Sequence, residues 1–431
     1  MKRKVAGAKW KIGSGLLGLA LFSNLVHAEE INRPDLPPSA QIDNALSNHL
    51  LVRNAINELK IERTNQRKWN SGNYEFNLRA GTGQRSVASS GEKLREWDVG
   101  LERPLRLLNK VGIDEDIGVA SVARAEYALG DARHEAGRTL LQMWFAWQRE
   151  QVQVTLWQQQ ADILKQQAQL VEKRVKAGDA PKLELNLAQA AAAQASVPLH
   201  QAQLRAQLAR NDLQRQFPAI QLPEKLPPAT PQSIERDLAF WKERVLEHNH
   251  ELGVAREQSR VQQLLAQRSR ADRLPDPTVG VSYAKEASGS EKVMGVYVSV
   301  PLSFGLRSAT AEGVAQQAAI AADQETFSKH RIEGDIYAIH TQAVSSYNTW
   351  QQAHEAAQAI RSNAELIAKA YTLGENSLSD SLTARRFALE SSLVENLAQL
   401  DANEARYRLL LDAHQLWALD NDTNEHHANH Y

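Results

Sequence analysis

Cysteine is absent from the 431 residues. That excludes thiolate nucleophiles, thiolate metal sites, disulfides and a lipid-bearing N-terminal Cys. Histidine is the next candidate for chemistry. His134-Glu135 and His354-Glu355 each lack a second His four positions after the first, so neither builds the zinc-protease helix motif. His248-Asn-His250 falls in a helical stretch and is expected at the surface. His426, His427 and His430 lie in the last six residues, behind Asp420-Asn-Asp422. That composition predicts a disordered tail with weak affinity for transition metals, and no firm metal site. Gly13-Ser-Gly-Leu-Leu-Gly18 matches the dinucleotide fingerprint. No strand precedes it and no acid follows at the right distance, so the match is fortuitous. No Walker loop and no clustered acid/base set appears, so neither an enzyme nor a resident cofactor is expected. Two acids remain. Glu184 and Asp380 each stand six positions after a glycine, Gly178 and Gly374, and the two pairs are 196 residues apart.

That offset runs through the chain. Leu140, Trp144, Trp147, Gln151, Val154, Trp157, Ala161, Leu164, Ala168, Val171 and Val175 follow steps of three and four. Adding 196 gives Ile336, His340, Ala343, Tyr347, Trp350, Ala353, Ala357, Ile360, Ala364, Ile367 and Tyr371, and ten of eleven are apolar in each set. The steps are those of a coiled-coil seam, and the ordinary role of its tryptophans is packing. Gly178-Asp-Ala-Pro181 and Leu373-Gly374-Glu375-Asn376 interrupt the two runs. Gly suits a helix C-cap and Pro a helix start, so each marks the turn of an antiparallel helical hairpin. The first ascending arm, about 105–177, is on the order of 110 Å long, with Gly112, Gly118, Gly130 and Gly137 as possible breaks.

Before each hairpin lie two segments of period two, which is strand periodicity. They are Tyr74/Phe76/Leu78/Ala80 and Trp97/Val99/Leu101 in the first unit. In the second they are Val279/Val281/Tyr283 and Met294/Val296/Val298/Val300. Pro104-Leu105 and Pro301-Leu302 close the second strand of each pair. Helical stretches at about 40–68 and 233–272 precede the strands. The resulting organisation is a tandem repeat. Residues 29–217 form the first unit, with strands about 73–83 and 95–104 and a hairpin about 105–217. A Pro-rich linker spans 218–232. Residues 233–419 form the second unit, with strands about 277–285 and 292–301 and a hairpin about 302–419. A His-containing tail follows at 420–431.

Residues 1–28 read as a secretory signal peptide: a basic start, an apolar stretch from Ile12 to Val26, and Val26-His-Ala28 as the cleavage pattern. The net charge is −1, with 50 basic and 51 acidic residues, and that balance disfavours nucleic acid as a partner. Cleavage removes five positive charges and leaves the exported chain near −6. A membrane protein with these sequences must span through strands. Four strands cannot close on themselves and an open edge cannot face lipid, so several chains must share one barrel. The alternatives to that α+β membrane architecture are a soluble β-sandwich domain and a periplasmic coiled-coil adaptor or scaffold. An adaptor carries one hairpin rather than two equivalent ones.

The order of signal peptide, paired strands ending in Pro-Leu, and Gly-turned helical hairpin, all repeated, resembles the TolC-type outer-membrane efflux channels (the outer membrane factor family). The resemblance covers nearly the whole exported chain. It implies a homotrimer in the bacterial outer membrane, with a twelve-stranded β-barrel continuous with a large periplasmic α-helical barrel. It also implies a passive duct that partners a periplasmic adaptor (membrane fusion protein) and an inner-membrane efflux pump. Glu184 and Asp380 then correspond to the acids that constrict the periplasmic mouth, and Tyr371 to a latching tyrosine. The competing role for both acids is to favour a helix N-terminus. The family's arginine two positions after the second glycine is replaced by Asn376, and a further acid by Thr383. Gly178, Asp179, Gly374, Glu375 and Asn376 are, by position, the adaptor-contact tips. The exported compound is expected to be a heavy-metal cation or an organic molecule.

Overall fold

The computed structural model describes residues 33–224, 229–303, 305–417 and 419. The signal peptide, the dinucleotide-like motif and the tail histidines lie outside the described residues. The first unit contains α1 (Ser39–Ser47), α2 (Leu50–Ser71), β1 (Asn77–Ser86), β2 (Lys93–Pro104), α3 (Leu108–Ala177) and α4 (Lys182–Gln216). The second contains α5 (Leu238–Glu247), α6 (His250–Ala271), β3 (Thr278–Glu286), β4 (Glu291–Ser299), α7 (Leu306–Leu373) and α8 (Leu378–Asp412). Each helical stretch expected ahead of the strands is split. The first breaks at Asn48-His49 and the second at His248-Asn249. In the second break Asn249 caps the new helix by accepting from the Leu252 N–H at 2.7 Å, an Asx cap that competes with helix continuation.

The four strands form one antiparallel sheet in the order β1-β2-β3-β4. One rung runs Leu78–Leu101–Val281–Val296 across the whole sheet. All four side chains are exposed, Val296 by 81%. The opposite face carries polar contacts. Arg85 bridges Glu96 at 2.9 Å and Glu286 at 2.6 Å, and the Tyr297 hydroxyl donates to Glu102 at 2.6 Å. Tyr297 reaches Glu102 by crossing Gly280, where a Cβ would sit 2.4 Å from its ring. The apolar row is shorter than the alternation predicts. Tyr74 and Phe76 precede β1, and the Tyr74 hydroxyl donates to Asp276 at 3.0 Å instead of facing outward.

Sheet and helices meet at an ionic elbow. Lys110, fully buried on the first turn of α3, donates to the Leu274 carbonyl at 2.8 Å and pairs with Asp272 at 2.9 Å and Asp276 at 3.0 Å. Asp114 joins Arg106, at 3.1 Å, to Arg268. Burial pushes the Asp276 carboxyl up. The Lys110 ammonium, the Leu107 N–H and the Tyr74 hydroxyl outweigh this and hold it below the ordinary value. The Tyr74 phenol, partly buried and donating to that carboxylate, is pushed up to about 12.

α3 is one continuous helix of 70 residues, roughly 105 Å long, and its four glycines do not break it. Gly130 is a spacer rather than a hinge: a Cβ there would meet the His250 ring at 2.5 Å. His250, expected at the surface, is therefore partly buried against α3. The main core gathers where the short helices α1 and α5 cross the long ones. Leu36, Ile42, Trp144, Phe145, Phe217, Trp241, Ile336 and Leu411 meet there from both units. The Trp144 indole and the Gln148 amide both donate to the Asp35 carbonyl at 2.7 Å, and the Tyr407 hydroxyl donates to the Asp35 carboxylate at 2.8 Å. Leu140, Trp144 and Trp147 of the first seam and Ile336 and Ala343 of the second join this core, and toward the tips both seams are mostly half-buried.

Candidate functional site

At the end of the hairpins away from the sheet, both long helices stop on a left-handed glycine, Gly178 at φ 84° and Gly374 at φ 81°. The Asp179 N–H returns to the Arg174 carbonyl at 2.8 Å, and the Glu375 N–H to the Ala370 carbonyl at 2.9 Å. These satisfy carbonyls that a helix end leaves unpaired. The two turns then diverge. α4 starts behind Pro181, without a side-chain cap. α8 starts behind Ser377, whose hydroxyl accepts from the Asp380 N–H at 3.1 Å and donates to the Asp380 carboxylate at 2.7 Å. A small apolar cluster of Val171, Ala188 and Leu378, with Val175, Leu185 and Tyr371 packed on it, joins the two hairpins just behind the turns.

Tyr371 and Glu184 are brought together. The Tyr371 hydroxyl donates to Glu184 at 3.4 Å and accepts from the Arg174 guanidinium at 2.9 Å. Arg174 also pairs with Glu184 at 3.8 Å and stands over the Tyr371 ring, 5.7 Å from its centre. Burial, then the Glu184 charge, raise the Tyr371 phenol above its ordinary value. The three residues tie α3 and α4 of the first unit to α7 of the second. Asp380 is not part of this link. It is exposed, engaged in its own helix cap, and faces a groove of about 880 Å³ between α7 and α8 with Asn376, Thr383 and Phe387. Gly178, Asp179, Gly374, Glu375 and Asn376 all stand exposed at the turns.

Arg174 was not expected from the sequence. The repeat offset places it against Ala370, so no symmetry marks it, and only its position four residues before the tip glycine draws attention. It reaches across from the opposite hairpin to Tyr371. The link joins the two hairpins through three side chains, one hydroxyl, one carboxylate and one guanidinium.

Residues 42–216 match the family model of the outer membrane efflux protein. No curated protein matches the chain in sequence. Among solved structures, the CmeC outer membrane channel of Campylobacter jejuni superposes with a TM-score of 0.71 at 15% identity, over 90% of this chain and 87% of that one. The outer membrane protein VceC of Vibrio cholerae gives 0.71 at 16%, over 88% and 99%. The open state of the MtrE outer membrane channel of Neisseria gonorrhoeae gives 0.58 at 16%, over 88% and 89%. At these identities the likeness is one of fold, and it extends over both repeats. The outer membrane efflux protein model is thus matched across the first repeat, and the fold of these outer-membrane channels extends over the second repeat as well.

Proposed function

We propose that the chain is the outer-membrane duct of a tripartite efflux system. Three copies close a twelve-stranded barrel and a helical tube, which receives substrate from a periplasmic adaptor and an inner-membrane pump. One observation carries this reading: the sheet is open. β1 and β4 each leave one edge unpaired, and the outward rung is apolar and bare in a single chain. Open edges and apolar rows are unstable in both water and lipid until further strands complete the cylinder. The helical part repeats the signal. Leu183, Leu187, Val197, Leu204, Phe387 and Val394 line exposed flanks of the hairpins, where neighbouring copies would cover them.

The Arg174–Tyr371–Glu184 link and the Asp380 carboxylate form the periplasmic gate in this reading, and the exposed turns at Gly178–Asp179 and Gly374–Asn376 receive the adaptor. Heavy-metal cations are the first substrate class to test, because a ring of Asp380 carboxylates at a narrow mouth, joined by Glu184 wherever Arg174 releases it, attracts cations and repels anions. Organic compounds are the alternative.

The assembly is tested by disulfide trapping, for which the cysteine-free chain is well suited. One cysteine in β1 and one in β4 should give cross-linked trimers in outer-membrane fractions. A monomer released into the soluble periplasm overturns the reading. Metal against organic cargo is decided by the sensitivity profile of a deletion strain.

A further inference from the structure

Three histidines far apart in the sequence meet beside the core. His134 lies buried in the middle of α3, His250 opens α6, and His414 follows the end of α8. Each offers one ring nitrogen, and the three atoms lie within 4.8 Å of one another. The ring centres are 5.1 Å apart for His134 and His250, 5.3 Å for His250 and His414, and 4.2 Å for His134 and His414. A tetrahedral ion with metal–nitrogen bonds of about 2.0–2.1 Å holds imidazole centres roughly 5 Å apart. Two of the three spacings already match, and the third needs only a small ring rotation. Ring packing alone would not require three imidazoles from three separate elements.

The surroundings are built to hold these rings. Gly130 leaves the space that the His250 ring occupies. His414 takes a left-handed conformation, φ 57°, which turns its side chain back from the helix end. Asp131, one turn before Glu135 on α3, interacts electrostatically with both His250 and Glu251. Two nearby cations are paired with carboxylates: Arg138 with Asp412 at 2.8 Å and Glu135 at 3.2 Å, and Arg331 with Glu251. The His248 ring lies 5.7 Å from His414, toward the exposed side.

We infer that His134, His250 and His414 form a binding site for one borderline divalent cation of the Zn(II), Co(II) or Ni(II) class, which staples the end of α8 onto α3 and α6. Imidazole nitrogens suit these ions over Mg(II) or Ca(II), which take oxygen ligands. Water, or His248 after a side-chain rotation, fills the fourth position. The site joins both repeats in the middle of the chain and is distinct from the gate at the tips. It acts as a fastener, whatever the exported cargo.

The test uses the full chain in detergent, stripped with EDTA and titrated with Co(II). The expected result is one ion per chain, with the visible ligand-field bands of a nitrogen-bound tetrahedral ion, displaced by Zn(II). Zn(II) should raise the melting temperature above that of the stripped protein. H414N suits the left-handed backbone and lies outside the helix, so it should fold. It should weaken Co(II) binding by about 10-fold or more and abolish the melting shift. H250Q is the second variant and should do the same. H426N/H427N/H430N should leave the bands and the melting shift intact. Unchanged bands in both H414N and H250Q, loss of all binding in the tail variant, or no bands in the full chain would each overturn the site.

Discussion

Tyr371 illustrates how much of the proposed gate depends on three side chains. Its hydroxyl lies between a guanidinium at 2.9 Å and a carboxylate at 3.4 Å, and these contacts tie the two hairpins together across the tip. Replacing Arg174 with Ala should leave Glu184 and Tyr371 without their shared cation and raise single-channel conductance in planar bilayers. Tyr371→Phe should produce a smaller rise, because the Arg174–Glu184 pair persists. Conductance unchanged in both variants would remove the link from the gate. Asp380→Ala should chiefly weaken block by divalent cations, since Asp380 stands apart from the link; unaltered block would return it to a plain helix cap.

Lys110 is the other decisive single residue. Lys110→Met leaves Asp276 without its cation, while Asp272 keeps Arg268, and should cost about 3 kcal/mol. That is the low end for a broken buried pair, because Asp272 keeps a solvated side. The readout is the temperature at which helical circular dichroism is lost. Asp276 sets the pH dependence. Its folded pKa is depressed, so its contribution is fully present above the ordinary aspartate value and is lost as pH falls through the folded one. The elbow should therefore be stable at neutral pH and loosen only below about pH 4. A loss of stability beginning nearer pH 6 would point to histidines instead.

At the scale of elements, two kinds of glycine must be separated. Gly374 needs its left-handed φ, so Gly374→Ala should destabilise the second turn by about 1 kcal/mol while leaving the long helices intact. Gly130 has an ordinary helical backbone, and Gly130→Ala would improve an isolated helix. Here the added methyl must displace the His250 ring, so it should loosen the α3–α6 contact, seen as faster amide exchange around His250. Sequence marks Gly374 as a turn; that Gly130 is a spacer and not a break is decided by the His250 ring, which fills the space above its Cα.

For the whole molecule, the apolar rung of the sheet and the bare flanks of the hairpins present the same physical demand at opposite ends. A single chain leaves Met294, Val296 and Val298 exposed on the sheet and Phe387 and Val394 exposed near the tips. Assembly should therefore be needed for stability of both parts. Replacing Val296 with Arg, at the outward rung, should cost on the order of 2 kcal/mol or more at the bilayer midplane and reduce the heat-modifiable trimer. Trimer levels unchanged by this substitution would argue that the rung does not face lipid.

What the sequence determined by itself is whatever rests on period and punctuation. Strand alternation, the helical seam, the 196-residue offset and the two glycine turns follow from local backbone preferences, and those act wherever the residues occur. Tertiary structure decided everything that depends on which surfaces meet. It split the leading helices, withdrew Tyr74 from the outward row, and kept α3 unbroken through four glycines. It also brought Arg174 to Tyr371 across two hairpins, and His134, His250 and His414 together across three elements. These pairings span long stretches of sequence and carry no periodic signature, because a side chain's partner is set by packing rather than by its neighbours along the chain.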